Sequence, residues 1–400
     1  MNKYKKLVVS LIAIFLGLLV GTLFMLIVGH NPFAGFLYLI QGGLKNIERI
    51  GNTIATATPL ILTGLSVAFA FRTGLFNIGA PGQMLFGGFC ATAVGLTFPG
   101  LPSFILLPLM IVTGMLGGAV WGIIPGLLKA KFNVHEVVSS IMMNWIANWV
   151  VYYAVKAYFT GAMETESRLL TPNATLHADW MSNLFNGSYI NLGIFIAILS
   201  VIIIAFILNK TTFGYQLKSV GFNRHAAEYA GISVNKNIVF SMMIAGGLSG
   251  LAGVVHYAGN ATCIQLGIIP SQGFDGIAVA LLGANTPIGA LLAALFFGVL
   301  YSGRGFMSAA TKIPPEIADT IIATIIYFAA TSILIEGWLD KLVKKYRNKS
   351  SNPNESLQDT CELTLDEVAT TFDDTTTQDI AIPVHTNETL LNEEVKKEDE

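Results

Sequence analysis

The sequence predicts an all-α polytopic membrane protein with about ten transmembrane helices, both termini cytoplasmic, and some helices short or broken. Three observations carry this expectation. Hydrophobic residues make up 53% of the 400-residue chain and charged ones 12%, with a mean hydropathy of +0.62, beyond what one soluble core requires. Apolar runs near twenty residues recur along the chain, the length a helix needs to cross roughly 30 Å of hydrocarbon. Basic residues gather in alternate connections, which orients the spans.

The first run, 7–28, follows a basic start. It is longer than a signal-peptide core and has no small-x-small cleavage site, so it reads as a retained membrane helix. Further spans are expected near 52–71, 104–128, 137–159, 191–209, 238–258 and 316–335. Two stretches are less regular: 76–96 is broken by Pro81 and glycines, and 274–302 is interrupted by "GANTP" at 283–287. Lys3, Lys5 and Lys6, Lys129 and Lys131, Lys210 to Lys236, and Lys341 to Lys349 mark the inside, whereas the acidic segment 160–190 falls outside. An even number of crossings follows: ten if 274–302 is two short helices meeting near Asn285 to Pro287, eight if it is re-entrant.

The formal net charge of −2 hides a division. Residues 1–349 hold 21 Lys/Arg against 11 Asp/Glu, and residues 350–400 hold 2 against 14. The expected organisation is a transmembrane domain over 1–340 with a cytoplasmic loop at about 211–237, then over 341–400 a basic stop and an acidic tail too poor in apolar residues to fold. Cys90, Cys263 and Cys361 are far apart, with neither metal-ligand nor disulfide spacing. Gly114, Gly118, Gly122 and Gly126 share one helical face, and "GGLSGLAG" at 246–253 repeats the theme, as close helix packing in lipid requires.

No GxxxxGK[ST] occurs, so any ATP is bound by another subunit. Asp275, Glu316 and Asp319 fall at expected helix ends rather than in a proton-carrying series. No nucleophile elbow, HExxH or paired carboxylates suggest an enzyme.

The loop before the 238–258 span carries "GFNRHAAEYAGIS", in which Ala226, Ala227 and Tyr229 stand among Asn223, Arg224, His225 and Glu228, closed by Gly231 as a C-cap. Taken alone it is an interfacial helix or a solvated loop. Its wording resembles the cytoplasmic coupling loop of ABC importer permeases. "FRTGLFNIGAPGQMLFGGF" (71–89), "NVHEVVSSIMMNWIANWV" (133–150), "GGLSGLAGV" (246–254) and "GFDGIAVALLGANTPIGALLAALFFGVL" (273–300) are similar to the branched-chain amino-acid and simple-sugar permease family, in matching order over roughly residues 50–335. "NVHEVVSSIMMNWIA" and "GFDGIAVALLG" resemble its nucleoside-importer branch. In "FNIGAPGQ", Pro81 stands where the family usually has an acid, so no role passes from that acid to this chain.

The resemblance implies a permease subunit in a prokaryotic plasma membrane that docks an ABC ATPase through Gly221, Asn223, Ala226, Ala227, Glu228 and Gly231. ATP is used by that partner, and this chain binds no cofactor or metal. Its other implied partners are a second, non-identical permease and an extracytoplasmic substrate-binding lipoprotein, with the bilayer around them and no nucleic-acid polymer involved. Polar or aromatic side chains in otherwise apolar spans are the candidates for the pathway: Asn77, Gln83, Asn144, Asn148, Phe274 and Asn285. Buried amides need partners, so interhelical hydrogen bonding is the competing role for each amide. Alternatives are a permease for simple sugars or branched-chain amino acids, or an ion-coupled secondary transporter with broken helices.

Overall fold

The computed structural model describes residues 3–331, and the basic stop, acidic tail and Cys361 lie outside the described residues. Over the described residues the chain is all-helical, with only isolated bridges at Thr160–Ser167, Glu166–Gln265 and His177–Asn191. Its helices are α1 (Lys3–Ile27), α2 (Pro32–Leu44), α3 (Ile47–Phe71), α4 (Ala80–Thr97), α5 (Ser103–Phe132), α6 (Glu136–Tyr158), α7 (Asp179–Leu184), α8 (Gly193–Lys210), α9 (Thr212–Phe222), α10 (Arg224–Tyr229), α11 (Val234–Val255), α12 (Gln272–Leu282), α13 (Pro287–Thr311) and α14 (Pro315–Ala330). A π turn, His256–Ala261, continues α11.

Among the described residues six helices are long and apolar enough to cross a membrane: Val8–Ile27, Ile47–Phe71, Ser103–Phe132, Gly193–Lys210, Val234–Ala261 and Pro287–Thr311. Amides, glycines and proline dilute the apolar character of α4, and amides and aromatics that of α6.

Two elements differ from the sequence expectation. Residues 274–302 do not form two short helices. The first, α12, has 11 residues, but α13 has 25 and spans by itself. The break between them is set by a strong helix start, Thr286 accepting from the Gly289 amide at 3.1 Å with Pro287 at the first helical position. The second difference is α2, 13 residues that no crossing-length window picks out. It is ~20 Å long at 1.5 Å per residue, too short to span. It runs antiparallel to α13, with Gly35 against Ile313 and Gly42 and Gly43 against Gly303 and Val299. The chain leaves it into α3, whose Gly51 meets Ser188 of the 159–192 segment. The exit of α2 therefore lies toward the face that carries that segment.

The glycine face of α5 is used for contact. Gly118 and Gly122 meet the α11 backbone at Gly246, Gly250 and Met242, and Gly87 of α4 meets Gly250 and Gly114. A Cβ at Gly87, Gly118, Gly122, Gly246 or Gly250 would collide with a neighbouring backbone, so small residues let three helices approach closely where hydrophobic driving force is absent. Around this trio, α3 is buried along nearly all of its length.

Candidate coupling segment and polar nodes

The 211–237 loop folds as two helices rather than one. Thr211 caps α9 by accepting from the Gly214 amide at 3.1 Å, and Leu217 and Val220 anchor it in the bundle. Gly221 lays its Cα on the Arg72 carbonyl at the end of α3 and beside the Gly74 amide. Asn223 then caps α10 through a 3.0 Å bond from the Ala226 amide. The helix closes as a Schellman turn: Gly231 N–H donates to the Glu228 carbonyl at 2.9 Å, Ile232 N–H to Ala227 at 3.0 Å, and Gly231 takes φ +77. Ala227 is buried, whereas Ala226 and Glu228 face out. Phe222 and Tyr229 are 91% and 95% exposed. Two aromatic rings held out beyond a capped, bundle-anchored helix pair make a ready contact surface. Sequence reading weighted the alanines and charges and passed over Phe222, whose apolar ring at the edge of a polar loop was the available signal.

The amides divide into groups. Asn77 and Gln83 are fully buried and bond to each other both ways, Asn77 Nδ2 to Gln83 Oε1 at 2.9 Å and Gln83 Nε2 to Asn77 Oδ1 at 3.2 Å. Asn77 also accepts from the Gly79 amide at 3.2 Å and donates to Ser66 Oγ at 3.3 Å. Ser66 in turn donates to the Ala245 carbonyl at 2.6 Å and takes a bond from Ser249 Oγ at 2.9 Å. This node ties α3, α4 and α11 together. Asn144 on α6 spans the start of α4, accepting from the Gly82 amide at 2.9 Å and donating to the Ile78 carbonyl at 3.0 Å. Asn148, one turn on and 5% exposed, makes no side-chain hydrogen bond among the described residues. Trp145, between them in sequence, points away from the bundle.

Pro81 sits in the first turn of α4, against the Cα of Gly273 at the start of α12. Proline tolerates that position because its missing N–H would be unpaired there anyway. Phe274, next to Gly273, is exposed. Asn285 lies at the opposite end of α12, where its carbonyl accepts from Arg72 Nε at 2.9 Å and its own Oδ1 is buried without a partner. The end shared by Arg72, Asn285 and Gly221 also carries Lys218, whose Nζ reaches Asn209 Oδ1 at 3.3 Å. A further ion pair, Lys129 to Glu136 at 3.0 Å, closes the α5–α6 turn.

Apolar spans, a glycine-packed core stitched by internal amides and a solvent-exposed helical loop define a multi-pass membrane protein. The family described as branched-chain amino acid transport system / permease component matches residues 49–330. The chain belongs to this family, whose members are transport subunits. It is 44% identical over 348 residues to the guanosine ABC transporter permease protein NupP of Bacillus subtilis (strain 168), covering 87% of this chain and 99% of that one. It is 41% identical over 346 residues to the nucleoside ABC transporter permease protein NupB of Lactococcus lactis subsp. cremoris (strain MG1363), covering 85% and 95%. To the guanosine ABC transporter permease protein NupQ of Bacillus subtilis (strain 168) it is 32% identical over 259 residues, covering 62% and 79%.

Proposed function

We propose that this chain is one of two non-identical permease subunits of an ABC importer for nucleosides, set in a prokaryotic plasma membrane and driven by an ATPase that docks on α9 and α10. The observation that carries the reading is the near full-length likeness to permeases named for guanosine and nucleosides. One organism holds both NupP and NupQ, and this chain is the more similar to NupP, which supports a pair of unlike subunits. An extracytoplasmic lipoprotein delivers the ligand, and ATP acts on the partner alone, in keeping with a sequence that has no P-loop.

In this reading α1, α3, α4, α5, α6, α8, α11, α13 and α14 cross, the tenth crossing is completed by the non-helical 262–271 segment together with the 11-residue α12, and α2 dips in from outside. The end holding Arg72, Lys218 and α10 is cytoplasmic, as the Lys/Arg bias requires. Rigid anchoring supports the coupling role: α9 is seated on the end of α3 through Gly221 and Arg72, so displacement of α10 by the ATPase is passed to the most buried helix of the bundle. Asn77, Gln83 and Asn144 hold the helices that move. Asn148 and Phe274 are the remaining candidates to meet the ligand, an amide with free valences and an exposed ring suited to a base.

The test separates docking from ligand. Ala226→Arg or Tyr229→Ser abolishes co-purification of the ATPase subunit and uptake while membrane insertion stays normal; intact co-purification by both variants refutes the docking surface. Cells lacking the chain lose high-affinity uptake of radiolabelled guanosine. Loss of a sugar or a branched-chain amino acid instead keeps the family and refutes the nucleoside assignment.

A further inference from the structure

A groove of about 560 Å³ opens between α1 and α8. Leu11 and Ile14 form one wall and Leu208 the other, and Leu292 and Phe296 of α13 form the floor. Leu11 and Leu292 are more than half exposed, so the groove faces outward, where the hydrocarbon of a bilayer lies. At one end the lining changes character. Arg72 and Lys218 stand there beside the start of α13 at Thr286 to Gly289.

Among the described residues the two cations have no acidic partner: Arg72 spends Nε on the Asn285 carbonyl, and Lys218 bonds only the Asn209 amide oxygen. Burial pulls the Arg72 pKa down, and the Lys218 pKa falls through burial first and the Arg72 charge second. Lys218 thus lies in the field of Arg72, and both stand beside a helix start, whose partial positive charge has the same sign. Such a site gains from an anion. An apolar channel leading from it into the bilayer selects an anion that carries a hydrocarbon chain.

We propose that this groove binds an anionic phospholipid, its phosphate between Arg72 and Lys218 and one acyl chain laid along α1, α8 and α13. The volume falls within the range of small-ligand sites, and basic pockets between membrane helices on the cytoplasmic side suit such headgroups. The assignment to the inner leaflet rests on the orientation proposed above; the binding itself does not. Because Arg72 also carries the Gly221 contact, the lipid sits at the root of the α9 lever.

The full chain in its assembled transporter is placed in nanodiscs of phosphatidylglycerol and phosphatidylcholine in equal amounts, then released for native mass spectrometry. Two cations contributing about fivefold each give about twenty-five-fold selective retention of phosphatidylglycerol. Lys218→Gln and Arg72→Gln each reduce that preference about fivefold, and Leu292→Trp, which fills the groove and leaves both cations, lowers retention of lipid altogether. A preference near one in the wild type overturns the proposal, as does a preference unchanged by Lys218→Gln and Leu292→Trp, variants that leave the Arg72 contacts intact. Displacement of phosphatidylglycerol by millimolar inorganic phosphate makes the occupant a soluble anion and overturns it. Displacement by a peptide of residues 350–400 does the same in favour of the acidic tail. The readout is lipid mass, so it stands whether or not nucleosides are transported.

Discussion

Two interruptions of the helical frame, 72–79 between α3 and α4 and 283–286 between α12 and α13, look alike in sequence: each places an Asn among glycines between apolar runs. They differ in structure. At the first, Asn77 is buried and both polar atoms of its side chain are used, in a node reaching Gln83, Gly79 and Ser66. At the second, Asn285 offers its backbone carbonyl to Arg72 while its side-chain oxygen goes unpaired. The first break joins helices and the second ends one at the rim of a groove. Residue type alone therefore does not tell a helix tie from a chain reversal; the number of groups converging on the amide does.

The largest effect tests the first break. Asn77→Leu keeps the branched shape but leaves Gln83, the Gly79 amide and part of the Ser66 hydrogen bonding unserved, at about 1–3 kcal/mol for each buried group left unpaired. Thermal unfolding in detergent should shift down sharply, with uptake lost in proportion to folded protein. Asn285→Leu removes no side-chain bond and should shift it far less. Equal losses from the two substitutions would erase the contrast.

The pair on α6 sharpens it further. Asn144→Leu strands the Gly82 N–H and the Ile78 carbonyl, about 1–3 kcal/mol each before relaxation, so assembly suffers. Asn148→Leu removes an amide with no described partner, and apparent melting temperature stays within a degree or two. Any transport phenotype of Asn148→Leu is then a pathway phenotype, read as a changed preference among nucleosides at normal expression. A Asn148→Leu variant that transports every nucleoside normally makes that amide a spectator.

The all-α class, the long spans, the glycine face and the C-cap at Gly231 were all legible because each rests on local pattern: apolar run length, small residues at helical spacing, glycine after a polar helix. Less legible were α2 and the partners of the amides. The run "PFAGFLYLIQGGL" is apolar but shorter than a crossing, and the use of its glycines shows only where they fit against α13. Asn77, Gln83, Asn144 and Asn148 are the same kind of residue in the same kind of span, and what separates them is which polar groups come within hydrogen-bonding distance. That depends on α3, α4, α6 and α11 meeting, contacts between positions up to 183 residues apart. Tyr229 was visible in the loop, but its near-complete exposure follows from Ala227 turning inward.

The smallest expected effect concerns backbone alone and sets the two breaks directly against each other. The first reverses through Gly74 at φ +70, where a Cβ would have only ordinary contacts at 3.5 Å with Gly221. The second reverses through Ala284 and Asn285 at φ +51 and +53. A left-handed conformation costs a residue with a Cβ roughly 1–2 kcal/mol and glycine almost nothing. Glycine also loosens the unfolded chain by about 0.4–1 kcal/mol, which reduces the gain from adding one and the loss from removing one. Gly74→Ala should therefore destabilise by about 1 kcal/mol, and Ala284→Gly should stabilise by about the same or slightly less. Neither substitution touches a hydrogen-bonding side chain, so uptake per folded molecule stays at the wild-type level in both. Opposite shifts in melting temperature confirm that the second break is held in its strained form by the Thr286 and Pro287 helix start and the Arg72 bond. A destabilising Ala284→Gly would instead mean that the Ala284 methyl packs usefully at the rim of the groove, and that the bend there is set by side-chain contact rather than by the cap.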